Sequence, residues 1–331
     1  MVQAVKSSTP LRMGVIGAGI MGANHARVLA GLSGTDLVGV VDPDRGQRDL
    51  VTRVLGCPAV SDIDALFQFG VEAVTIAAPT HLHHDIALAC IQRGIHVLVE
   101  KPIASTVEEG REIIAAARKA GVTLMVGHVE RFNPAVIAIK EAIRGEDILS
   151  IAITRVGPFP PRMSNVGVVI DLAVHDIDLI RWFTDSDIVE VQPQLSSAVA
   201  EREDIALLQF RTASGVLAHI NTNWLTPFKA RNVTVATRGK YVMGDLLTRQ
   251  VTECFGFQPD GAYSMRHVSV GHEEPLRAEL LSFIASVRDG KPAAVTGEEG
   301  VASLEIAARC LEGRPAKTAA PEKAGVRRAA G

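Results

Sequence analysis

Hydrophobic residues follow two patterns along this chain, and the change between them is its main organising feature. Up to about residue 128 they form short apolar runs: Met13 with Val15-Ile16, then Leu37–Val41, Val71–Ala78, Ile95–Val99 and Val122–Val126. Runs that are apolar throughout suit strands covered by helices on both faces. Between them lie segments with helical spacing. One runs from Asn24 to Leu32, a short one reaches Leu55, and one from His83 to Arg93 is closed by Gly94. A fourth, capped by Thr106, reaches Ala120 before Gly121. Strand and helix alternate with short connections, which predicts a doubly wound parallel sheet.

Beyond residue 128 the period shifts towards two. A helix near Pro134–Arg144 leads into Ser150–Val156. Alternating runs follow at Ile188–Gln192, Ile205–Arg211, Val216–Asn223, Asn232–Thr237, Lys240–Asp245 and Gln250–Phe255. Few helices separate them, so an open, largely antiparallel sheet is expected. Helices are predicted around Val169–Phe183, Pro275–Asp289 and Glu298–Leu311. The expected organisation is α/β: a flexible start over 1–10, a parallel-sheet domain over 11–128, a second domain over 129–312 and a disordered tail over 313–331. The tail has almost no large apolar side chain.

The first strand runs directly into Gly17-x-Gly19-x-x-Gly22 and a helix. Gly17 allows the tight turn, Gly19 lets a pyrophosphate approach the backbone, and Gly22 lets helix and strand pack closely. The helix N-terminus offers free N–H groups and partial positive charge to phosphates. The second strand ends in Asp42, 20 residues after Gly22, where a carboxylate accepts hydrogen bonds from an adenosine ribose. Strand, glycines, helix and acid in register point to a dinucleotide. Asp42 favours NAD by repelling a 2′-phosphate, while nearby Arg45 leaves some tolerance for NADP.

Composition narrows the classes. The chain has 331 residues, enough for two cores, and a formal net charge of -3 that provides no basic footprint for nucleic acid. The four cysteines (Cys57, Cys90, Cys254, Cys310) are scattered without a CxxC pair, so reduced thiols in a cytoplasm are expected. Residues 1–10 lack the apolar core of a signal peptide, and no run of about 18 uncharged apolar residues offers a membrane span.

Ligands of open parallel sheets bind beyond the carboxyl ends of the strands. Three such ends carry chemistry: Pro79-Thr80-His81-Leu82-His83-His84, Glu100-Lys101-Pro102, and Gly127-His128-Val129-Glu130-Arg131-Phe132-Asn133-Pro134. Lys101 follows a buried strand, so it is either held to hydrogen-bond a substrate hydroxyl or is a surface lysine at a strand end. Asp171 and His175 are four apart on a predicted helix with Asp178 three further on, which suits a carboxylate-backed general base and equally a structural acid–histidine pair. His81, His83 and His84 lack the matched acid or thiolate set of a zinc site, so no metal is expected. Arg131, Arg155 and Arg162 lie in segments expected to face the cleft. They are candidate diphosphate donors or a solvated face.

Taken together, Gly17-x-Gly19-x-x-Gly22, Asp42, Pro79-Thr80-x-x-His83, Glu100-Lys101-Pro102 and Asp171-x-x-x-His175 resemble the glucose–fructose oxidoreductase / inositol dehydrogenase family of sugar dehydrogenases. The resemblance implies an N-terminal Rossmann domain, a C-terminal α/β domain with an open sheet, and NAD or NADP, NADP being the lesser expectation. It implies Lys101, Asp171 and His175 as the catalytic set. Around the cofactor it implies Gly17, Gly19, Ile20, Met21, Gly22, Asp42, Ala78, Pro79, Thr80, His83, Glu100 and Lys101. The Gly127–Pro134 and Gly167–Asp178 segments are similar to a nucleotide-sugar branch that oxidises the C3 hydroxyl of UDP-N-acetylglucosamine. That reaction precedes an aminotransferase on the route to the 3-amino sugars of lipid A. A substrate set of Lys101, Arg131, Asn133, Arg155, Arg162, Asn165, Asp171 and His175 goes with it. A homo-oligomer, dimer or tetramer, is expected through the open sheet face.

Overall fold

The computed structural model describes residues 9–160 and 166–312. The expected flexible start and tail lie mostly outside these residues, and Arg162 and Asn165 lie wholly outside them.

Six parallel strands form the first sheet in the order β3-β2-β1-β4-β5-β6. They are β1 (Leu11–Ile16), β2 (Thr35–Val41), β3 (Ala59–Val60), β4 (Ala73–Ile76), β5 (His96–Glu100) and β6 (Leu124–Gly127). Val15, Val40, Val74, Val97 and Val126 are completely buried, because α1 (Ile20–Ala30), α2 (Arg45–Leu55), α3 (Ile63–Phe67), α4 (His83–Ile91) and α5 (Val107–Ala120) sandwich the sheet. The helix ends follow local chemistry. Thr106 and Glu109 form a capping box at the start of α5, and Gly121, at φ 68°, ends it. Strand order reverses between β1 and β4, which opens a crevice where the glycine loop leaves β1.

The second sheet has eight strands in the order β14-β13-β12-β11-β7-β10-β9-β8. These are β7 (Ile148–Pro158), β8 (Ile188–Ser196), β9 (Ile205–Thr212), β10 (Leu217–Asn223), β11 (Leu225–Thr237), β12 (Lys240–Asp245), β13 (Gln250–Phe255) and β14 (Ser264–Val268). All pairings are antiparallel except β10 with β7. Burial alternates along β9, so the sheet has one covered face and one open face. The covered face packs on α6 (Pro134–Ala142), α7 (Val174–Thr184) and α9 (Gly297–Glu312).

Packing crosses residue 128. Leu276, Leu280 and Phe283 of α8 (Pro275–Asp289) belong to the core of the first sheet, and α9 contributes to both cores. Three further departures from the sequence reading have local causes. The helix expected over Val169–Phe183 starts as a π-turn, Val169–Ala173, before α7 begins. β11 begins at Leu225, not Asn232: Leu225 pairs with Pro158 and Ala230 with Val156, so four residues, Thr226–Lys229, bulge opposite Gly157 alone. β14 is exposed along nearly its whole length and so has no alternation to read. No helix among the described residues is long and apolar enough to cross a membrane.

Candidate active site

The glycine loop has the shape its sequence demands. Gly17 sits at φ +96°, and a Cβ there would stand 2.6 Å from the Ala77 carbonyl oxygen. A Cβ on Gly22 would fall 1.7 Å from the Gly17 carbonyl oxygen, so only glycine permits this close helix start. Gly19 is different: nothing lies within 4 Å of a Cβ built there. It is the N-cap of α1 and has no side-chain cap, leaving the first N–H groups of the helix facing open space. Asp42 Oδ2 accepts from the Ala18 N–H at 2.7 Å, and Oδ1 accepts from the Asp44 N–H at 2.8 Å. The carboxylate therefore lies against the loop. Arg45 points away and pairs with Asp49 on the surface. Arg48 closes the turn instead, donating to the carbonyls of Asp42 and Pro43. Open space over Gly19, an uncapped helix start and a carboxylate beside them fit a dinucleotide.

The other strand ends converge on a cleft of about 430 Å³ lined by Met21, Glu100, Lys101, Glu130, Arg155, Asp171, His175, Trp224, Lys229 and Arg231, among others. Lys101 is held: its Nζ donates to the Asp171 carbonyl at 2.8 Å and lies 3.6 Å from Asp171 Oδ1. The geometry corrects the expected Asp171–His175 pair. Within the π-turn the Asp171 carboxylate faces Lys101, and His175 Nδ1 is buried with no partner among the described residues. Four-residue spacing places two side chains together on an α-helix, not across a π-turn. His175 meets the His128 ring edge-on at 6.4 Å. Burial first, then the positive charges of Lys101 and Arg155, pushes the His175 imidazole well below its ordinary value. It is neutral near pH 7 and able to accept a proton.

Two of the three arginines expected to meet a diphosphate, Arg155 and Arg131, are engaged elsewhere, and Arg162 lies outside the described residues. Arg155 is buried, with Nε and Nη2 on Asp176 at 2.9 and 2.8 Å and Nη1 on Glu130 at 2.9 Å. Arg131 is also buried, forked onto Asp178 at 2.7 Å by Nε and Nη2 and paired with Glu299. Asn133 caps α6 and donates to Glu130 and to the Leu246 carbonyl. Burial works against the charge of Glu130, yet Arg155, Arg231 and Asn133 outweigh it and hold that carboxyl below its usual range. Of these residues Glu130 and Arg155 line the cleft, and their polar atoms are held by one another and by Asp176 and Arg231.

The cations that the cleft retains were not read from the sequence. Lys229 lies on the β11 bulge, is exposed, and makes no ion pair among the described residues. Arg231 has one donor on Glu130 at 3.0 Å and remains about one-third exposed. A bulge re-aims a side chain without leaving a periodic signal. Pro158 and Pro160 line the cleft opposite them. Of the crowded histidines, His83 is buried with Nε2 2.8 Å from the Ala78 carbonyl and Nδ1 2.9 Å from the Pro102 carbonyl, its one neutral-ring N–H donating to one or the other, between the β4 and β5 ends. His84 pairs with Asp85 and Glu112, and His81 is exposed. Thr80 opens the short 3₁₀ turn between Ala78-Pro79 and His83. Ile20 and Met21 stand exposed at the loop.

Residues 11–128 match the family model described as "Oxidoreductase family, NAD-binding Rossmann fold", and residues 150–242 match the GFO/IDH/MocA C-terminal domain. A UDP-N-acetylglucosamine 3-dehydrogenase from Acidithiobacillus ferrooxidans is 30% identical, covering 92% of this chain and 97% of that protein. The chain belongs to the GFO/IDH/MocA oxidoreductase family. Inositol 2-dehydrogenase 1 from Saccharopolyspora erythraea is 29% identical over 91% of this chain and 93% of its own. The solved structure of UDP-N-acetylglucosamine 3-dehydrogenase GnnA from Acidithiobacillus ferrooxidans superposes with a TM-score of 0.85 at 28% identity, covering 91% and 96% of the two chains. Membership makes the chain a dehydrogenase with an NAD-binding Rossmann domain.

Proposed function

We propose that this dehydrogenase uses NAD to oxidise the C3 hydroxyl of UDP-N-acetylglucosamine, giving a 3-keto sugar that an aminotransferase consumes. The observation that carries the reading is the cleft itself. Lys101 and a neutral His175 line it together, and Lys229 and Arg231 add positive charge that no acid in the cleft fully answers. A neutral polyol needs no such charge, whereas a diphosphate does. The relative named for this reaction spans nearly the whole chain.

The loop at Gly17–Gly22 and the N-terminus of α1 would hold the pyrophosphate, and Asp42 the adenosine ribose, whose free 2′-hydroxyl favours NAD over NADP. When bound, the nicotinamide supplies the hydride acceptor. His175 takes the proton of the substrate hydroxyl through Nε2, since its Nδ1 is buried. Lys101, anchored by the Asp171 carbonyl, keeps further N–H donors for the oxygen that gains negative charge. Asp171 acts through Lys101 by fixing its position. The open face of the eight-stranded sheet, with Leu207 and Leu217 half exposed, is the surface we assign to a dimer or tetramer contact.

The test is NADH formation with UDP-N-acetylglucosamine, an aminotransferase and glutamate drawing off the ketone. UDP-N-acetylglucosaminuronic acid, inositol and free hexoses run alongside. Turnover with the UDP-N-acetyl sugar alone supports the reading. Turnover confined to inositol or a hexose replaces it with the activity named for the inositol dehydrogenases that also match the chain.

A further inference from the structure

Behind Lys101 lies a buried group that the reaction above leaves unused. One polar atom from each of His25 (α1), Glu100 (end of β5) and Glu279 (α8) lies within 4.8 Å of the others, and His25 and Glu279 are completely buried. His25 Nε2 and Glu100 Oε1 are 2.8 Å apart, and the Lys101 N–H donates to Glu100 Oε2 at 3.3 Å. Gly127 makes room for this carboxylate: a Cβ there would stand 3.1 Å from its carboxyl carbon. Glu100 therefore has a partner at both oxygens. Glu279 has none. Both of its oxygens, and His25 Nδ1, lack a hydrogen-bond partner among the described residues. A second carboxylate ionised in that place would lack donors and face a like charge. Burial and then the charge of Glu100 push the Glu279 carboxyl well above the ordinary range, towards its protonated form.

We propose that Glu279, His25 and Glu100 share protons as one unit that senses the charge of the bound nicotinamide, releasing a proton to solvent when the ring is cationic and keeping it when the ring is neutral. Glu100 lines the cleft beside Met21 of the glycine loop and Lys101, so positive charge arriving there acts on the whole unit. The coupling is reciprocal: a cationic ring loosens the proton, and loss of the proton tightens the cationic ring without affecting the neutral one.

The surrounding charges leave this proton free to respond. The short turn Val129–Phe132 packs against α8, but its Glu130 and Arg131 are engaged with Arg155 and Asp178. His128 and His83 feel the charge of Glu100, and burial pushes both down towards their neutral forms. On α8 itself Arg277 pairs with Glu273 at the surface, and Arg27 of α1 pairs with Glu274. The unit depends on the nicotinamide part of the proposed function alone, so a substrate other than a UDP sugar leaves it standing.

Calorimetric titration of the full chain with NAD⁺ and with NADH, in two buffers of different ionisation heat across a pH series, counts the protons directly. NAD⁺ should release protons where NADH does not. The affinity ratio for NAD⁺ over NADH should rise severalfold as pH increases, the effect of one unit charge on another inside the protein. Glu279→Gln, isosteric with the neutral acid, should flatten both responses. Equal proton release for the two nucleotides, or an unchanged response in Glu279→Gln, would overturn the inference. Infrared difference spectra of the unaltered protein provide an independent arm. The protonated-carboxyl band should weaken with NAD⁺ and persist with NADH, and a band indifferent to both contradicts the inference. One tightly held metal ion per chain by elemental analysis overturns it, as does a chain that binds neither nucleotide, which also ends the NAD reading.

Discussion

Two glycines of one loop, Gly19 and Gly22, make opposite predictions, and the contrast tests the cofactor site without any substrate. Gly22→Ala would place a methyl 1.7 Å from the Gly17 carbonyl oxygen, against rigid backbone. Loop and helix must part by well over an ångström, a cost at or above the upper end of the ~1–3 kcal/mol typical of overpacking. Gly19→Ala meets nothing within 4 Å, and its φ of -64° and ψ of -167° suit alanine. Restricting the unfolded chain there is worth ~0.4–1 kcal/mol, but alanine is a poorer N-cap than glycine by a comparable amount, so Tm should stay within about 2–4 °C of the parent. The same methyl occupies the space through which a pyrophosphate reaches the helix N-terminus, so NAD affinity should fall at least tenfold. Thermal melts paired with NAD titration by calorimetry separate the two effects. A Gly19→Ala protein that binds NAD as the parent does would refute the placement of the dinucleotide on this loop.

Other consequences follow from the cleft. Lys101→Met should leave NAD affinity intact and lower kcat by about 10²–10⁴-fold, checked by nucleotide titration beside steady-state turnover. Arg155→Met strands Glu130 and Asp176 without a counter-charge in a buried setting and should cost ~3–5 kcal/mol in urea unfolding. Lys229→Met removes an exposed side chain and should leave stability within ~0.5 kcal/mol. It should raise KM for the UDP sugar about tenfold or more with kcat retained, the loss of a charge-assisted hydrogen bond; an unchanged KM would remove Lys229 from the substrate site. Burial lowers the proton affinity of His83, His128 and His175 below the ordinary 6.5. The unfolded chain then takes up protons that the folded one refuses. This contribution to stability is complete above about pH 6.5 and falls as pH drops, by up to ~1.4 kcal/mol per pH unit for each histidine. Urea midpoints that do not change between neutral and mildly acid pH would contradict it.

The parallel sheet was legible because its signals are local. Apolar runs, glycine turns and caps such as Thr106 and Gly121 act within a few residues of where they stand. The glycine loop was legible for the same reason, since Gly17 and Gly22 answer to backbone a few residues away or one strand over. The acid partners of Arg131 and Arg155 were not legible because a sequence shows a charge and not its partner. Arg155 meets Asp176 and Glu130 only once β7, α7 and the Val129–Phe132 turn have packed. Lys229 was invisible because a four-residue bulge breaks the alternation that marks a strand. Asp171 and His175 were paired by α-helical spacing, which the π-turn at Val169–Ala173 overrides. The His25–Glu100–Glu279 group joins residues 75 and more positions apart, and no spacing rule reaches that far.

The central claim concerns one hydrogen atom. UDP-N-acetylglucosamine deuterated at C3, incubated with the enzyme, NAD, an aminotransferase and glutamate, should deliver its deuterium to the nicotinamide, and mass spectrometry of the reduced cofactor should show the added mass. Reduced cofactor carrying no deuterium would mean that the hydride leaves another carbon and would contradict oxidation at C3. An absence of reduction with this sugar, alongside ready reduction with inositol, would remove the nucleotide sugar from the account.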